Sequence, residues 1–241
     1  MYIVDNLSLI IPLYNEANRL NDSLKIIKKF LSKKKNSEVI FVNDGSNDQS
    51  DKIIKNFISK FKKKKLIKYV YYRKNIGKGF AIKKGVSKSK KKWILICDLD
   101  MSVKPDQVDI WEKKKFIIKN KVAYFASRKH FSSKIKTSNV RRFLGFFFNI
   151  VIYLLFDIKI KDTQCGFKLF NKNYAKSVFK KINSYRFSFD VELILLLNEK
   201  KIEIKELPTT WVHKNGSKLN IFYDMPLMFF DILKIKLKRD N

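Results

Sequence analysis

The stretch Trp93 to Ser102 reads W-I-L-I-C-D-L-D-M-S, in which an apolar run leads directly into two aspartates. Five apolar residues in succession are typical of a strand that is buried on both faces of a parallel sheet. A carboxylate that follows such a strand lies at its carboxyl end, where open α/β sheets bind their ligands. The stretch therefore predicts an α/β fold with Asp98 and Asp100 at a ligand site.

Asp98 and Asp100 are separated by one leucine, so a regular strand would direct both carboxylates to one side and Leu99 to the other. Two carboxylates on one side suit Mg²⁺ or Mn²⁺, which proteins usually share with substrate phosphates. A strand followed by a solvated acidic turn has the same pattern. The motif alone leaves both interpretations open.

The chain has 241 residues, of which 45% are hydrophobic, and this is enough for one domain with a full core. Its net charge of +31 comes from 53 basic and 22 acidic residues, and most of the basic ones are lysine. Solvated lysine faces, an anionic membrane surface or a nucleic acid would each account for this charge. The lysines are scattered and no recognisable binding motif accompanies them, so we expect no nucleic-acid partner.

Neither a disulfide framework nor a membrane span is expected. The chain has two cysteines, which favours a reducing compartment. The apolar run at 7–13 contains a proline and lacks a basic leader, unlike a signal peptide. No apolar stretch reaches the roughly 18–20 residues that cross a bilayer.

Predicted strands alternate with segments of helical periodicity, and lie at 7–11, 39–42, 66–72, 93–97 and 122–126. Such alternation predicts βαβ units and a mostly parallel sheet. Right-handed crossovers bring the carboxyl ends of these strands to one edge. Tyr14, Glu16 and Asp44 follow the first two strands, so we expect them beside Asp98 and Asp100.

Asn75-Ile76-Gly77-Lys78-Gly79 opens the third predicted helix. Glycines beside a lysine at a helix start resemble a phosphate cradle, with free N–H groups and a mobile cation. The spacing, and the residue that follows the lysine, exclude a Walker motif.

Four segments, I-I-P-L-Y-N-E, V-N-D-G-S, N-I-G-K-G-F-A-I-K-K-G and D-L-D, resemble in their order and spacing the family 2 glycosyltransferases. The resemblance covers nearly all of residues 7–102. It implies the GT-A fold, a Rossmann-like and mostly parallel sheet flanked by helices, and a nucleotide-sugar donor. It also implies donor contacts at Pro12, Tyr14, Glu16, Asp44, Lys78, Asp98, Leu99 and Asp100.

The same resemblance implies a role for each of these residues. Pro12, Tyr14, Glu16 and Asp44 would hold the base and ribose, and Lys78 would lie near the ribose or diphosphate. Asp98 and Asp100 would form the metal site for Mg²⁺ or Mn²⁺, with Asp100 as the principal ligand. A divalent ion there would neutralise charge on the diphosphate leaving group.

A basic segment leads into an apolar one in the second half of the chain. Residues 128–142 contain six basic and no acidic side chains, and the apolar, aromatic segment 143–156 follows. This apolar segment is too short to span a bilayer, and its aromatic residues suit an interface. The basic neighbour favours a helix that lies on an anionic membrane surface, while a buried core helix stays open.

D-T-Q-C-G-F-K-L-F, F-D-V-E and G-S-K-L are similar to polyprenyl-phosphate sugar synthases, in particular to dolichyl-phosphate glucosyltransferases. The resemblance then extends over about residues 7–220. It implies inverting transfer of a hexose, with glucose from UDP-glucose expected, to a polyprenyl or dolichyl phosphate at the cytoplasmic face of the membrane. It also implies acceptor-phosphate contacts at Arg128, Arg141, Arg142, Gln164 and Lys218.

The sequence departs from these relatives in two respects. The amino-terminal anchor of the eukaryotic members and the carboxyl-terminal spans of many bacterial members are not expected here. Ser102 stands where the mannosyl members have a glutamine, which argues against a GDP-mannose donor.

Asp100 and Asp190 are predicted to be catalytic residues, Asp100 through the metal ion and Asp190 either as a general base or as a group that orients the acceptor. A lipid phosphate has a second pKa near 6 and is largely ionised at neutral pH, so it needs positioning more than proton removal.

We expect a GT-A domain at 1–220 with an interfacial segment at about 141–157, and a C-terminal amphipathic helix at 221–241. The alternative is a family 2 enzyme that extends a glycan or lipopolysaccharide hydroxyl, and a basic nucleic-acid-binding protein is a distant one.

Overall fold

The computed structural model of the chain describes residues 5–34, 36–117, 120–136, 150–214 and 221–240, with the side chains of 221–225 and 240 excepted. The strands in these ranges are β1 (Leu7–Leu13), β2 (Glu38–Asp44), β3 (Ile67–Tyr72), β4 (Trp93–Ile96), β5 (Val122–Ser127), β6 (Lys134–Lys136), β7 (Lys168–Asn171), β8 (Glu203–Pro208) and β9 (Thr210–Val212). The helices are α1 (Ala17–Lys33), α2 (Ser50–Lys60), α3 (Lys78–Lys88), α4 (Gln107–Lys113), α5 (150–156), α6 (Lys172–Lys181), α7 (Phe189–Glu199) and α8 (Ile221–Asp240).

Within the described ranges, seven of these strands form one sheet in the order β3-β2-β1-β4-β7-β5-β8. The pairs β1–β2, β2–β3, β1–β4 and β5–β8 are parallel, and β7 is antiparallel to both of its neighbours. A separate two-stranded sheet joins β6 and β9. The expectation of a mostly parallel sheet is confirmed, whereas β7 had not been predicted as a strand.

The central strands are buried because helices cover both faces of the sheet. All residues of β1, β2 and β4 are buried. Leu9 belongs to the core under α1, and its neighbour Ile10 belongs to the opposite core under α3, α6 and α7. This alternation between two cores follows from the two-residue period of a strand, and it explains why β1 is a continuous apolar run.

β1 extends beyond the predicted boundary, because Pro12 lies within it rather than ending it. Pro12 pairs in register with Val42 of β2, while the ladder with β4 ends at Ile10. A proline lacks the N–H that a second neighbour would require, so it is tolerated where the strand has a partner on one side only. β2 is also longer than predicted, and Asp44 is its last residue.

α5 and α8 belong to the segments predicted to lie at a membrane. α5 has Ile152 buried while Tyr153 and Leu154 are 51% and 75% exposed. α8 packs Met228 and Ile232 into the core and leaves other apolar side chains exposed. Residues 141–149 of the predicted interfacial segment lie outside the described residues.

None of the helices in the described part of the chain is both long enough and apolar enough to cross a bilayer.

Candidate active site

A cavity of about 340 Å³ lies at the carboxyl ends of β1, β2 and β4. All eight residues predicted to contact the donor line it: Pro12, Tyr14, Glu16, Asp44, Lys78, Asp98, Leu99 and Asp100. The expectation that these strand ends converge is therefore met by the fold. The role of each side chain in donor binding stays a prediction.

The loops that follow β1 and β2 are tied together by side-chain hydrogen bonds. Ser46 Oγ accepts the Asn15 N–H at 2.9 Å, and Ser50 Oγ accepts the Glu16 N–H at 2.8 Å. Arg19 donates to Glu16 from Nε at 2.6 Å, so the Glu16 carboxylate is held by a charged neighbour on α1. These bonds fix the wall of the cavity where the base and ribose are predicted to bind.

Asp44, the last residue of β2, accepts hydrogen bonds from the residues just before α3. Its Oδ1 accepts the Ile76 N–H at 3.0 Å, and its Oδ2 accepts the Gly77 N–H at 2.9 Å and the Asn75 side-chain amide at 2.8 Å. Burial raises the pKa of the Asp44 carboxyl, and the hydrogen bonds oppose that increase. The predicted phosphate cradle with free N–H groups is therefore wrong at Ile76 and Gly77, because a carboxylate already occupies them.

Lys78 reaches from α3 to the end of β4, where its Nζ lies 2.6 Å from Asp98 Oδ1. Burial alone would raise the pKa of Asp98, but Lys78 outweighs it and the net shift is downward. Lys168 and Arg128 also lie close enough to lower this pKa. Asp98 is thus a carboxylate within a group of cations, and a place near the ribose or diphosphate stays a prediction.

The other Asp98 oxygen is covered by the backbone of Gly166. A Cβ added at Gly166 would lie 2.1 Å from Asp98 Oδ2, so this position admits only glycine without a displacement. Lys78 contacts Oδ1 and Gly166 lies against Oδ2, while 37% of the Asp98 side chain stays exposed to solvent. Its predicted role as a metal ligand stays a prediction.

Asp100 is the carboxylate predicted to be the principal metal ligand, and this role stays a prediction. It lines the cavity, and its Oδ1 accepts the Ser102 N–H at 2.9 Å within the turn that follows β4. No group of three or more His, Cys, Asp or Glu side chains among the described residues is arranged to hold a metal. Mg²⁺ and Mn²⁺ suit such a site, because they are commonly held by one or two carboxylates together with substrate phosphates.

Asp190, in the first turn of α7, is paired with a buried lysine. Lys168 Nζ contacts Asp190 Oδ1 and also donates to the Thr163 carbonyl at 3.0 Å. Burial raises the pKa of the Asp190 carboxyl, and Lys168 and Lys78 oppose this increase. Asp190 therefore lies close to Lys78 and Asp98 of the cavity and is already paired with Lys168. This pairing holds the Asp190 carboxylate in a fixed position.

Arg128 follows β5 and forms a bidentate pair with Asp162. Its Nε and Nη2 each donate to the carboxylate at 2.8 Å, and the Arg128 N–H does the same at 2.8 Å. Its guanidinium also lies over the Trp211 ring, 5.8 Å from the centroid. The orientation of Arg128 is thus set by β5, the 162–168 loop and β9 together.

The other four predicted acceptor residues divide into one that the structure describes and three that lie outside the described residues. Gln164 lies in the 162–168 loop and is partly exposed. Arg141, Arg142 and Lys218 lie outside the described residues. The predicted convergence of these cations with Arg128 stays a prediction.

Three residues of the site were missed by sequence reasoning. Arg19 and Arg186 line the cavity, and Lys168 holds Asp190. A lysine that heads the buried strand K-L-F was a usable signal, since a lysine is almost never fully buried unless it is paired. The two arginines were weaker signals, although arginine is rare in this lysine-rich chain.

The fold and the cavity together define a nucleotide-sugar-dependent transferase of the GT-A class. Residues 8–179 match the family described as Glycosyl transferase family 2, and the chain belongs to that family. Several of its relatives are dolichyl-phosphate beta-glucosyltransferases. That of Dictyostelium discoideum is 34% identical, over 98% of this chain and 76% of the relative, and the human one is 34% identical, over 96% and 75%.

Solved structures support the fold at much lower identity. Glucosyl-3-phosphoglycerate synthase of Mycobacterium tuberculosis, solved with Mn²⁺, UDP and phosphoglyceric acid, has a TM-score of 0.69 at 12% identity over 97% of this chain and 78% of that one. The mannosyltransferase PcManGT of Pyrobaculum calidifontis, solved with GDP-Man and Mn²⁺, has a TM-score of 0.58 at 14% identity over 88% of this chain and 58% of that one. Both are GT-A enzymes, which confirms the predicted fold class.

Proposed function

We propose that this protein transfers glucose from UDP-glucose to a dolichyl or other polyprenyl phosphate, with inversion at the anomeric carbon. The observation that carries the proposal is the convergence of the eight predicted donor residues on one cavity. Near-full-length identity to dolichyl-phosphate beta-glucosyltransferases supports the choice of sugar and acceptor. In this reaction an acceptor phosphate oxygen bonds to the anomeric carbon, and the bond from that carbon to the diphosphate breaks.

The charged groups of the cavity suit a diphosphate leaving group. Asp100 would hold Mg²⁺ or Mn²⁺ together with the donor phosphates, and the ion would neutralise the negative charge that develops there. Lys78, the first residue of α3, is held by its ion pair with Asp98, so its ammonium group is positioned before the donor binds. Preorganised charge of this kind lowers the barrier because no reorganisation is needed during the reaction.

The environment of Asp190 supports an acceptor that arrives already ionised. A general base must take up a proton, but Asp190 is paired with Lys168, and both side chains are buried. Protonation of Asp190 would leave that buried lysine without its counter-charge, which is costly. A phosphate acceptor needs no base at neutral pH, whereas a sugar hydroxyl does. Asp190 therefore serves better to orient the acceptor.

We further propose that the protein attaches to an anionic membrane, at its cytoplasmic face, and the outer surface supports the attachment. Tyr153 and Leu154 of α5 and Phe229 and Phe230 of α8 are exposed, and Phe131 projects from the basic segment after β5. Exposed aromatic and aliphatic side chains near clustered lysines suit the headgroup region of a bilayer. Attachment to a membrane would bring the protein to a lipid-linked substrate.

A panel of donors and acceptors tests the proposal. The purified protein is incubated with UDP-glucose, UDP-galactose or GDP-mannose, and with dolichyl phosphate, a short polyprenyl phosphate or a glucoside that offers a hydroxyl. We expect glucosyl lipid phosphate from UDP-glucose. Transfer to the hydroxyl acceptor with none to the lipid phosphate would mean a glycan-extending enzyme and would contradict the proposal.

A further inference from the structure

We propose that Arg186 binds the diphosphate of the donor nucleotide. The inference rests on the proposed function, because it takes a nucleoside diphosphate as the ligand of the cavity. Arg186 lies between α6 and α7 and lines the same cavity as Asp44 and Lys78. It belongs to none of the four segments that carry the family resemblance.

The glycines at the start of α3 place Arg186 there. A Cβ at Gly77 would lie 2.3 Å from the Tyr185 carbonyl oxygen, and one at Gly79 would lie 2.6 Å from the Ser184 carbonyl oxygen. The Phe80 N–H donates to the same Tyr185 oxygen at 3.2 Å. The glycines therefore allow the segment 184–189 to lie directly against α3, and this close backbone approach sets Arg186 at the cavity.

The ion pairs of the cavity leave the Arg186 guanidinium available to bind a phosphate. Three cations line it: Arg19, Lys78 and Arg186. Arg19 is paired with Glu16, and Lys78 is paired with Asp98. Arg186 forms no direct ion pair with any carboxylate in the part of the chain that the structure describes, and its side chain is exposed. A cation without a counter-charge is the one best able to exchange water for a phosphate oxygen.

The position of Arg186 relative to Asp44 favours the donor over the acceptor. Burial raises the pKa of the Asp44 carboxyl, and Arg186 is among the groups near enough to oppose this. Asp44 is at the end predicted to hold the base, whereas Arg128 is the described cation at the predicted acceptor end. A guanidinium that lies near Asp44 and lines the same cavity as Lys78 would meet phosphates attached to the nucleoside, and it can bind two oxygens at once.

Titration with UDP in the presence of Mn²⁺ tests the assignment. We expect Arg186→Gln to raise the dissociation constant of UDP about tenfold, the scale of one charge-assisted contact, and Arg186→Lys to raise it less. Arg73→Gln is the matched control, because Arg73 is an exposed arginine shortly before α3 that does not line the cavity. It should bind UDP as the wild type does. Uridine, measured by competition, should bind equally to all four proteins because it has no phosphate.

Three results would overturn the inference. One is a UDP dissociation constant for Arg186→Gln within twofold of the wild type. Another is an equal loss of affinity for uridine and UDP, which would place the contact on the nucleoside. The third is a raised KM for polyprenyl phosphate with unchanged UDP binding, which would assign Arg186 to the acceptor. A wild type that binds neither UDP nor GDP would instead remove the proposed function together with this inference.

Discussion

Lys168 and Asp190 form an ion pair inside the protein, with 1% and 5% of each residue exposed to solvent. The lysine also donates to the Thr163 carbonyl and lies 4.9 Å from the centre of the Phe125 ring. The pair thereby joins the first residue of β7, the 162–168 loop and the first turn of α7. Each of these elements lies near Asp98, so the pair holds together the part of the fold beside which the acceptor is predicted to bind.

We expect Lys168→Met to destabilise the fold by about 3–5 kcal/mol, since it leaves a buried carboxylate without its partner. The double variant Lys168→Met with Asp190→Asn should recover a large part of that loss, because no buried charge is then left unpaired. Urea denaturation of the two single variants and the double variant measures the coupling. Lys172→Met is the control, as Lys172 is a nearby lysine whose hydrogen bond to the Lys90 carbonyl is exposed. Additive losses in the double variant would show that the pair is not coupled.

Asp100→Ala should fold normally and lose nearly all transfer activity, because the diphosphate then lacks the ion that stabilises it by several kcal/mol. Activity of the wild type should disappear in EDTA and return with Mn²⁺ or Mg²⁺. Asp106→Ala provides the control, since Asp106 is a nearby carboxylate that pairs with Lys33 on the surface. Full turnover in EDTA would rule out a metal at this site.

Gly166→Ala should reduce activity more than stability. The added Cβ would lie 2.1 Å from Asp98 Oδ2, so the carboxylate has to move and its contact with Lys78 is disturbed. We expect the transfer rate to fall at least about tenfold, as sub-ångström displacements of a preorganised group affect catalysis strongly. Gly85→Ala is the comparison, because its Cβ would meet only core side chains, at 2.4 Å from Ile10. It should lower the melting temperature and leave the rate of the folded enzyme near normal. A normal transfer rate for Gly166→Ala together with a reduced rate for Gly85→Ala would contradict the role assigned to Gly166.

Glu38 should contribute to stability at neutral pH and not in acid. Burial would raise the pKa of this carboxyl, but Lys68 at 2.7 Å and the hydroxyl of Ser8 lower it overall. Because the folded-state pKa is below the unfolded one, the contribution is complete above the ordinary glutamate pKa of about 4.3. It is lost as the pH falls through the lower, folded-state pKa.

The difference in unfolding free energy between wild type and Glu38→Gln measures this contribution. We expect about 1–3 kcal/mol between pH 5 and 7, decreasing below about pH 4. Glu203→Gln, at an exposed position of β8, should show a small and pH-independent difference. A Glu38 difference that grows on acidification would show that the sign of the shift is wrong.

Replacing Tyr153 and Leu154 with serine should weaken attachment to anionic vesicles, since both side chains are exposed apolar groups of α5. Sedimentation with vesicles that contain phosphatidylserine measures the bound fraction, which should fall severalfold. Tyr71→Ser is the control, because Tyr71 is 45% exposed on β3, at the edge of the large sheet. A wild type that never sediments with such vesicles would contradict the membrane proposal.

The sequence by itself determined the parts of the protein whose signals are local. Apolar runs of strand length identified β1, β2 and β4, and the polar residues at their ends identified Asp44, Asp98 and Asp100 as neighbours. This inference works because parallel strands joined by right-handed crossovers must end at the same edge. The helical periodicity between the first two predicted strands likewise corresponds to α1.

Only the tertiary structure decided how the second half of the chain completes the site. β7 inserts antiparallel between β4 and β5, and this brings Gly166 against Asp98 and Lys168 against Asp190. The segment that carries Arg186 meets α3 although about a hundred residues of chain separate them. No local pattern encodes such contacts, because they depend on backbone surfaces fitting together after the sheet has formed. The glycines of α3 were visible in the sequence, but that they make room for another segment of the chain was decided by packing.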